Sequence, residues 1–73
     1  MPKLPVVSGE KCRKALERHG YIKVHQTGSH MKMVKPGYLP ITVPRHDELD
    51  AGLLRSIIRE ANLTVQQFIR LVK

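Results

Sequence analysis

Tyr21-Ile22-Lys23-Val24-His25-Gln26-Thr27-Gly28-Ser29-His30-Met31-Lys32-Met33 is the stretch on which the architecture turns. Residues 21–26 alternate, with Ile22 and Val24 opposite Tyr21, Lys23 and His25, the pattern of a half-buried strand. Gly28-Ser29 suits a two-residue hairpin turn. Closing that turn between Thr27 and His30 pairs His25 with Lys32 and Val24 with Met33. Tyr21, Lys23, His25, His30 and Lys32 then share one face, and Ile22, Val24, Met31 and Met33 the other. The apolar face is expected to meet the core and the basic, histidine-bearing face to meet solvent.

Upstream, Ser8 is a helix N-cap with Glu10 in the first turn. Cys12, Ala15, Leu16 and His19 follow at the spacing of one helix face, and Gly20 stands where a C′ glycine ends a helix. Lys11, Lys14 and Arg18 form an outer ridge, open to either solvent or phosphate. Downstream, Pro36-Gly37 marks a turn and Leu39-Pro40-Ile41-Thr42-Val43 a third strand. Pro40 suits an edge or a bulge. A two-residue turn there would put Ile41 and Val43 on the wrong face, and an extra loop residue would correct it, so that register stays open. Pro44 to Asp50 is a polar connection. Asp50 caps a helix with Leu53, Leu54, Ile57, Ile58 and Ala61 inward, and Asn62 ends it. Thr64-Val65-Gln66-Gln67 matches a capping box, with Leu63 and Phe68 as its hydrophobic staple. The last helix turns Val65, Phe68, Ile69 and Val72 inward. The expected class is α+β in the order α-β-β-β-α-α, with the helices on one face of a three-stranded antiparallel sheet.

At 73 residues the chain has room for one domain. A domain of this size buries only about 60% of its unfolded surface, which disfavours a deep substrate cavity. Nine Lys/Arg against two Glu in residues 1–46 give a net +7, whereas residues 47–73 balance four against four. Charge concentrated in this way favours a surface that faces a polyanion. The single cysteine, Cys12, excludes an intrachain disulfide and a cysteine metal cluster, and a reducing cytoplasm is the expected location. No run approaches the roughly 18 apolar residues of a membrane span, and Met1 to Val7 is too short for a signal peptide.

His19, His25, His30 and His46 are the reactive candidates. No Ser-His-Asp set is suggested, because Asp47 and Asp50 belong to the connection and its cap. The histidines have no compact metal-ligand spacing, and no phosphate-cradling GxxxxGK[ST] loop exists. Met31 and Met33 at strand spacing read as core, not as a soft-metal pair. RNA cleavage needs less machinery than most reactions, since the ribose 2′-hydroxyl supplies the nucleophile. The protein has only to move protons and offset charge on the phosphate. His30, beside a glycine turn and facing Lys32 and His25, has the residue types for both tasks, and no metal or other cofactor is required.

Gln26-Thr27-Gly28-Ser29-His30, Ile41-Thr42-Val43-Pro44-Arg45-His46, Gly52-Leu53-Leu54-Arg55-Ser56-Ile57-Ile58 and Ala61-Asn62-Leu63-Thr64 together resemble the HicA toxins, the mRNA-cleaving halves of HicA–HicB toxin–antitoxin pairs. The likeness runs from Ser8 to Phe68. It implies one HicA-like domain, residues 1–73, with a fold like that of double-stranded-RNA-binding domains, while the proline-rich start, 1–7, reads as an extended arm. It further implies that His30 is the catalytic residue and that a HicB antitoxin covers its face. On this reading Gly28 and Ser29 shape the turn, with Ser29 able to donate to a phosphate oxygen, while Lys23, Lys32, Lys35 and Arg45 hold the RNA backbone. Two positions depart from the family: His25 stands where many relatives have Arg, and Met31 where many have a second His. His25 either supplies part of the missing function or weakens the RNA contact. A non-catalytic RNA-binding module on the same scaffold is the alternative, and an acidic protein partner for the basic face is compatible with either.

Overall fold

Three local signals start the three helices. In the computed structural model, which describes residues 3–73, Ser8 accepts a hydrogen bond from Lys11 N at 3.1 Å and opens α1, Gly9–Arg18. Asp50 accepts from the Gly52 and Leu53 amides and opens α2, Ala51–Glu60. Thr64 and Gln67 exchange both bonds of a capping box at the head of α3, Val65–Val72. Termination follows the sequence equally closely: Gly20 (φ 111°) ends α1, and Asn62 takes the left-handed region (φ 60°) after α2. The Met1-Pro2 start of the expected arm lies outside the described residues, none of whose helices is long and apolar enough to cross a membrane.

Between α1 and α2 run β1 (Ile22–Thr27), β2 (His30–Val34) and β3 (Ile41–Pro44), antiparallel and in the order β1-β2-β3. Thr27 pairs with His30 across the Gly28-Ser29 turn, as the sequence predicts. Gly28 has φ 56° and Ser29 does not share the positive value, the sign pattern of a type II′ turn with glycine first. The second connection settles the open register. Tyr38 N donates to Lys35 O at 3.0 Å with Gly37 at φ 85°, a turn with Pro then Gly at its centre. Six residues separate β2 from β3, so Met31 faces Val43 and Met33 faces Ile41. Strand β3 starts after Pro40 and takes in Pro44, two and one residues away from the expected limits.

Met31, Met33, Ile41 and Val43 bury one sheet face against Cys12, Ala15 and Leu16 of α1, Leu54, Ile57 and Ile58 of α2, and Phe68 of α3. Arg18 Nη1 donates to the Leu71 and Lys73 carbonyls at 2.6 and 2.8 Å, tying the end of α3 to α1. One residue of the outer ridge therefore serves the fold. The connection after β3 clasps the arm: Gly9 N donates to His46 O and Leu49 N to Val7 O, both at 2.9 Å. Ile69, expected inward, is only partly buried, whereas Leu71 packs on the core.

Strand β1 requires a correction. Ile22 and Val24 do not meet the core; they are 61% and 54% exposed, while Tyr21, expected outside, is 2% exposed. His25 pairs with Lys32 as predicted, but Met33 lies opposite Lys23 instead of Val24. The cause is a β-bulge at Val24. One extra residue on β1 inverts the inside–outside parity of everything before it, so Tyr21 and Lys23 turn to the helix side and Ile22 to the outside. Strand β1 is also an edge strand, and each of its six residues is exposed.

Candidate nucleic-acid interface

The outward positions of β2 are His30 and Lys32, because Met31 and Met33 occupy the core positions between them. Cross-strand pairing adds neighbours on that outer face. His25, Lys32 and Thr42 lie abreast in one row, and Thr27 and His30 in the next, where His30 pairs with a buried Pro44. Residues two apart on a strand are separated by about 7 Å, so the rows are close enough to touch one phosphodiester and its neighbours. His25 Nε2 and Thr27 Oγ1 share a hydrogen bond of 2.6 Å, which fixes the His25 ring at the edge of the group. His25, His30 and Lys32 are exposed, and none of them lines the depressions between the arm and α2, between α2 and α3, or beside His19 and α3. The histidine face is open, as the size of the domain leads one to expect.

Gly28 and Ser29 form the rim of this face. Gln26 Nε2 donates to Gly28 O at 3.4 Å, and Arg45 N donates to Ser29 O, bonding the end of β3 to the turn that carries His30. The Arg45 main chain is thus brought beside the turn, but its side chain, 48% exposed, turns to α1 on the helix side of the sheet, with Nε 3.4 Å from Glu10 Oε1. Lys23 and Lys35 are not brought to the group. Lys23 shares the face of Met33 and donates to Gln26 Oε1 at 3.0 Å. Lys35 leaves the far end of β2, donates to the His19 carbonyl at 2.9 Å, and lies over the Tyr38 ring at 4.4 Å.

His19 serves the interior: its Nε2 is 3.2 Å from Ala61 O, and its ring stands 6.2 Å from those of Tyr21 and Tyr38. His46 contributes its carbonyl to the clasp on Gly9 and its side chain is exposed. Among the described residues no three His, Cys, Asp or Glu side chains gather as a metal-binding group.

Thr27 and Thr42 belong to the outer face; they carry no charge and lie within the family-like blocks without a role assigned there, and the cross-strand register brings them to the group. Glu10 is the other residue that sequence reasoning treated as a helix-start signal alone. The Arg13 guanidinium, bonded to it at 2.8 Å, holds its carboxyl below the ordinary carboxylate range, with Arg13, Arg45 and Lys23 adding charge in the same direction. Burial pushes the Cys12 thiol up to about 12, which makes it an inert core residue.

Residues 9–63, well over half of the chain, match the family described as HicA toxin of bacterial toxin–antitoxin. A solved structure of a toxin–antitoxin complex from Streptococcus pneumoniae contains a chain with 40% sequence identity and a TM-score of 0.70; the match covers 78% of this chain and 98% of that one. No curated protein sequence matches. The helix-first, three-stranded architecture, the Gly-Ser-His turn and the family match agree: the chain belongs to the HicA toxin family.

Proposed function

We propose that this protein is a metal-independent endoribonuclease that cleaves mRNA, with His30 as its general acid or base and an antitoxin partner that silences it. The outward register of His30 and Lys32 beside His25 and Thr42 carries this reading. In the proposed reaction a base removes the proton of a ribose 2′-hydroxyl, and the oxygen attacks the adjacent phosphorus. The bond to the 5′-oxygen breaks, that oxygen takes up a proton, and a 2′,3′-cyclic phosphate and a 5′-hydroxyl result. An imidazole can exchange protons near neutral pH, and Lys32 supplies positive charge where the phosphate gathers negative charge. Ser29 stands at the rim to hold phosphate oxygens, and Arg45, paired with Glu10 on the helix side, adds positive charge behind it. Lys23 and Lys35, engaged elsewhere, act on RNA only through their charge. A HicB-type antitoxin, acidic to match the net +7, would cover the His30 face.

The test is paired expression of the parent and His30→Ala in bacteria, following growth and full-length mRNA, with purified proteins on a transcript beside it. Loss of a general acid–base group costs about 10²–10⁴-fold, so His30→Ala should leave growth and mRNA intact while keeping the parent's melting temperature. Equal cleavage by both proteins would sink the assignment. Salt-dependent RNA binding by a parent that leaves RNA intact would instead establish a binding module.

A further inference from the structure

Of the four large apolar side chains that the described residues leave exposed, three stand at one end of the sheet: Ile22 at 61%, Val24 at 54% and Leu39 at 72%. The fourth, Val6, belongs to the arm, beside α2. The register explains the grouping. Ile22 pairs with Val34, and Val34, next to the buried Met33, has the outward parity of His30 and Lys32. Ile22 and Val34 therefore form the row that follows His25, Lys32 and Thr42 on the outer face, about 7 Å further along β2. Val24, the extra residue of the bulge, lies between Ile22 and His25 on the edge strand, and Leu39 precedes β3 at the same end. Without the bulge Ile22 would turn to the helix side, so the bulge is what sets an apolar row next to the basic one.

We propose that this apolar row anchors an acidic protein partner, the antitoxin, whose body then overlies the row of His25 and Lys32. The proposal rests on the silencing step of the function given above. Exposed aliphatic side chains clustered beside charged ones mark a protein contact. RNA fits the row poorly: Ile22, Val24 and Val34 offer no ring for a base to stack on, and the neighbouring Tyr21 is 2% exposed. A second copy of this chain fits poorly too, since each copy carries +7, whereas an acidic partner is drawn by that charge. Strand addition along β1 is not the mode, because the bulge breaks the edge and Lys23 puts a charge on it. The contact is side chain against side chain. The anchor and the reactive histidine are thus different residues, and silencing can be lost while cleavage is kept.

The experiment titrates the toxin with the antitoxin whose reading frame adjoins its own, by calorimetry, and follows cleavage of a transcript with and without that antitoxin. Ile22→Lys raises the net charge from +7 to +8, so attraction to an acidic partner alone would tighten the complex. An apolar anchor predicts the reverse, a Kd about tenfold higher or more. The antitoxin concentration that halves cleavage should rise by the same factor, while cleavage without antitoxin does not fall. Ile22→Thr, which keeps a β-branched side chain, should weaken the complex by a smaller factor, and thermal melting of each variant reports folding separately. Val6→Lys carries the same added charge on the arm and should bind no more weakly than the parent. Parental or tighter binding by both Ile22 variants overturns the anchor, as does equal weakening by Val6→Lys. Weaker RNA binding by Ile22→Thr at unchanged antitoxin affinity assigns the row to RNA and overturns it as well. Each of these results leaves the proposed function standing when the parent cleaves RNA and is silenced. A parent that cleaves RNA but binds no antitoxin overturns the anchor and the silencing step together, and one that does neither overturns the ribonuclease reading also.

Discussion

Replacing Gly9 by alanine sets two physical effects against each other with opposite signs. Gly9 is the first residue of α1 and its φ is not in the left-handed region, so alanine can adopt the backbone conformation. Helix propensity alone favours the change by up to about 1 kcal/mol. The surroundings oppose it. A Cβ at Gly9 would lie 1.9 Å from the Pro44 carbonyl oxygen, 2.9 Å from its carbon and 3.0 Å from Arg45 Cα. Contacts below 3.0 Å are not sustained, so the helix start and the end of β3 must part by at least 1.1 Å, the difference between 3.0 and 1.9 Å. Every atom met is backbone, so no side chain can swing aside.

The parting strains Gly9 N–His46 O directly and Arg45 N–Ser29 O through the shift of β3. Overpacking costs about 1–3 kcal/mol and each weakened backbone bond about 1 kcal/mol, against at most about 1 kcal/mol recovered from propensity. The net expectation is a loss of about 2–4 kcal/mol, or roughly 10–25 °C in Tm for a domain of this length. Urea titration and thermal melting by circular dichroism measure it. Gly52→Ala, also in the first turn of a helix, is the control: its Cβ would meet only Asp50 Oδ2 at 3.1 Å, and it should stay within about 1 kcal/mol of the parent. Gly9→Ala at or above the parent's stability would refute the close approach and with it the clasp that places Arg45 beside Ser29.

Two further substitutions test the sheet and the core. Ile22→Thr and Val24→Thr should each change stability by no more than about 0.5 kcal/mol in urea titration, because the bulge leaves both side chains outside; losses of several kcal/mol would restore the unbulged register. For Cys12 the sign follows from its raised value. The native thiol keeps its proton up to about 12, whereas the unfolded one releases it from about 9, so the unfolded state binds fewer protons in that window and stability falls as pH rises. Urea midpoints between pH 9 and 10 should therefore fall more steeply in the parent than in Cys12→Ala, by at most about 1.4 kcal/mol per pH unit, and parallel slopes would remove Cys12 as the cause.

The features legible in the sequence are those whose causes are local. Ser8, Asp50 and the Thr64–Gln67 box name their helix starts because each side chain satisfies amides two or three residues away. The hairpin around Gly28-Ser29 is equally local, and counting outward from it places His25, His30 and Lys32 on the open face. That counting fails at Val24. Ile22-Lys23-Val24-His25 is a perfect alternation with no glycine or proline to announce a bulge, and the strand tolerates one because it sits at the edge. Beyond the bulge parity inverts, which explains Lys23 and Tyr21 together. Lys35 is a different kind of miss: its charge is satisfied by the His19 carbonyl, a partner sixteen residues away that no spacing rule links to it.

Strand β2 makes the site and the core inseparable. Met31 and Met33 fill the interior because their neighbours His30 and Lys32 point out, and a shift of one residue would exchange the pairs, burying a lysine and a histidine among apolar side chains. The penalty for such a slip is far larger than any single contact on the open face. The outward direction of His30 is thus enforced by the packing of Met31 and Met33, while β3 locks the same register from the other side through Val43 and Ile41. The bulge protects this arrangement as well. It ends the strict pairing of β1 one residue after the row of His25 and Lys32, so irregularity in the edge strand does not propagate into the rows that hold His30. A domain too small to enclose a substrate can in this way hold reactive groups in fixed positions on an open surface, with the core behind them supplying the rigidity.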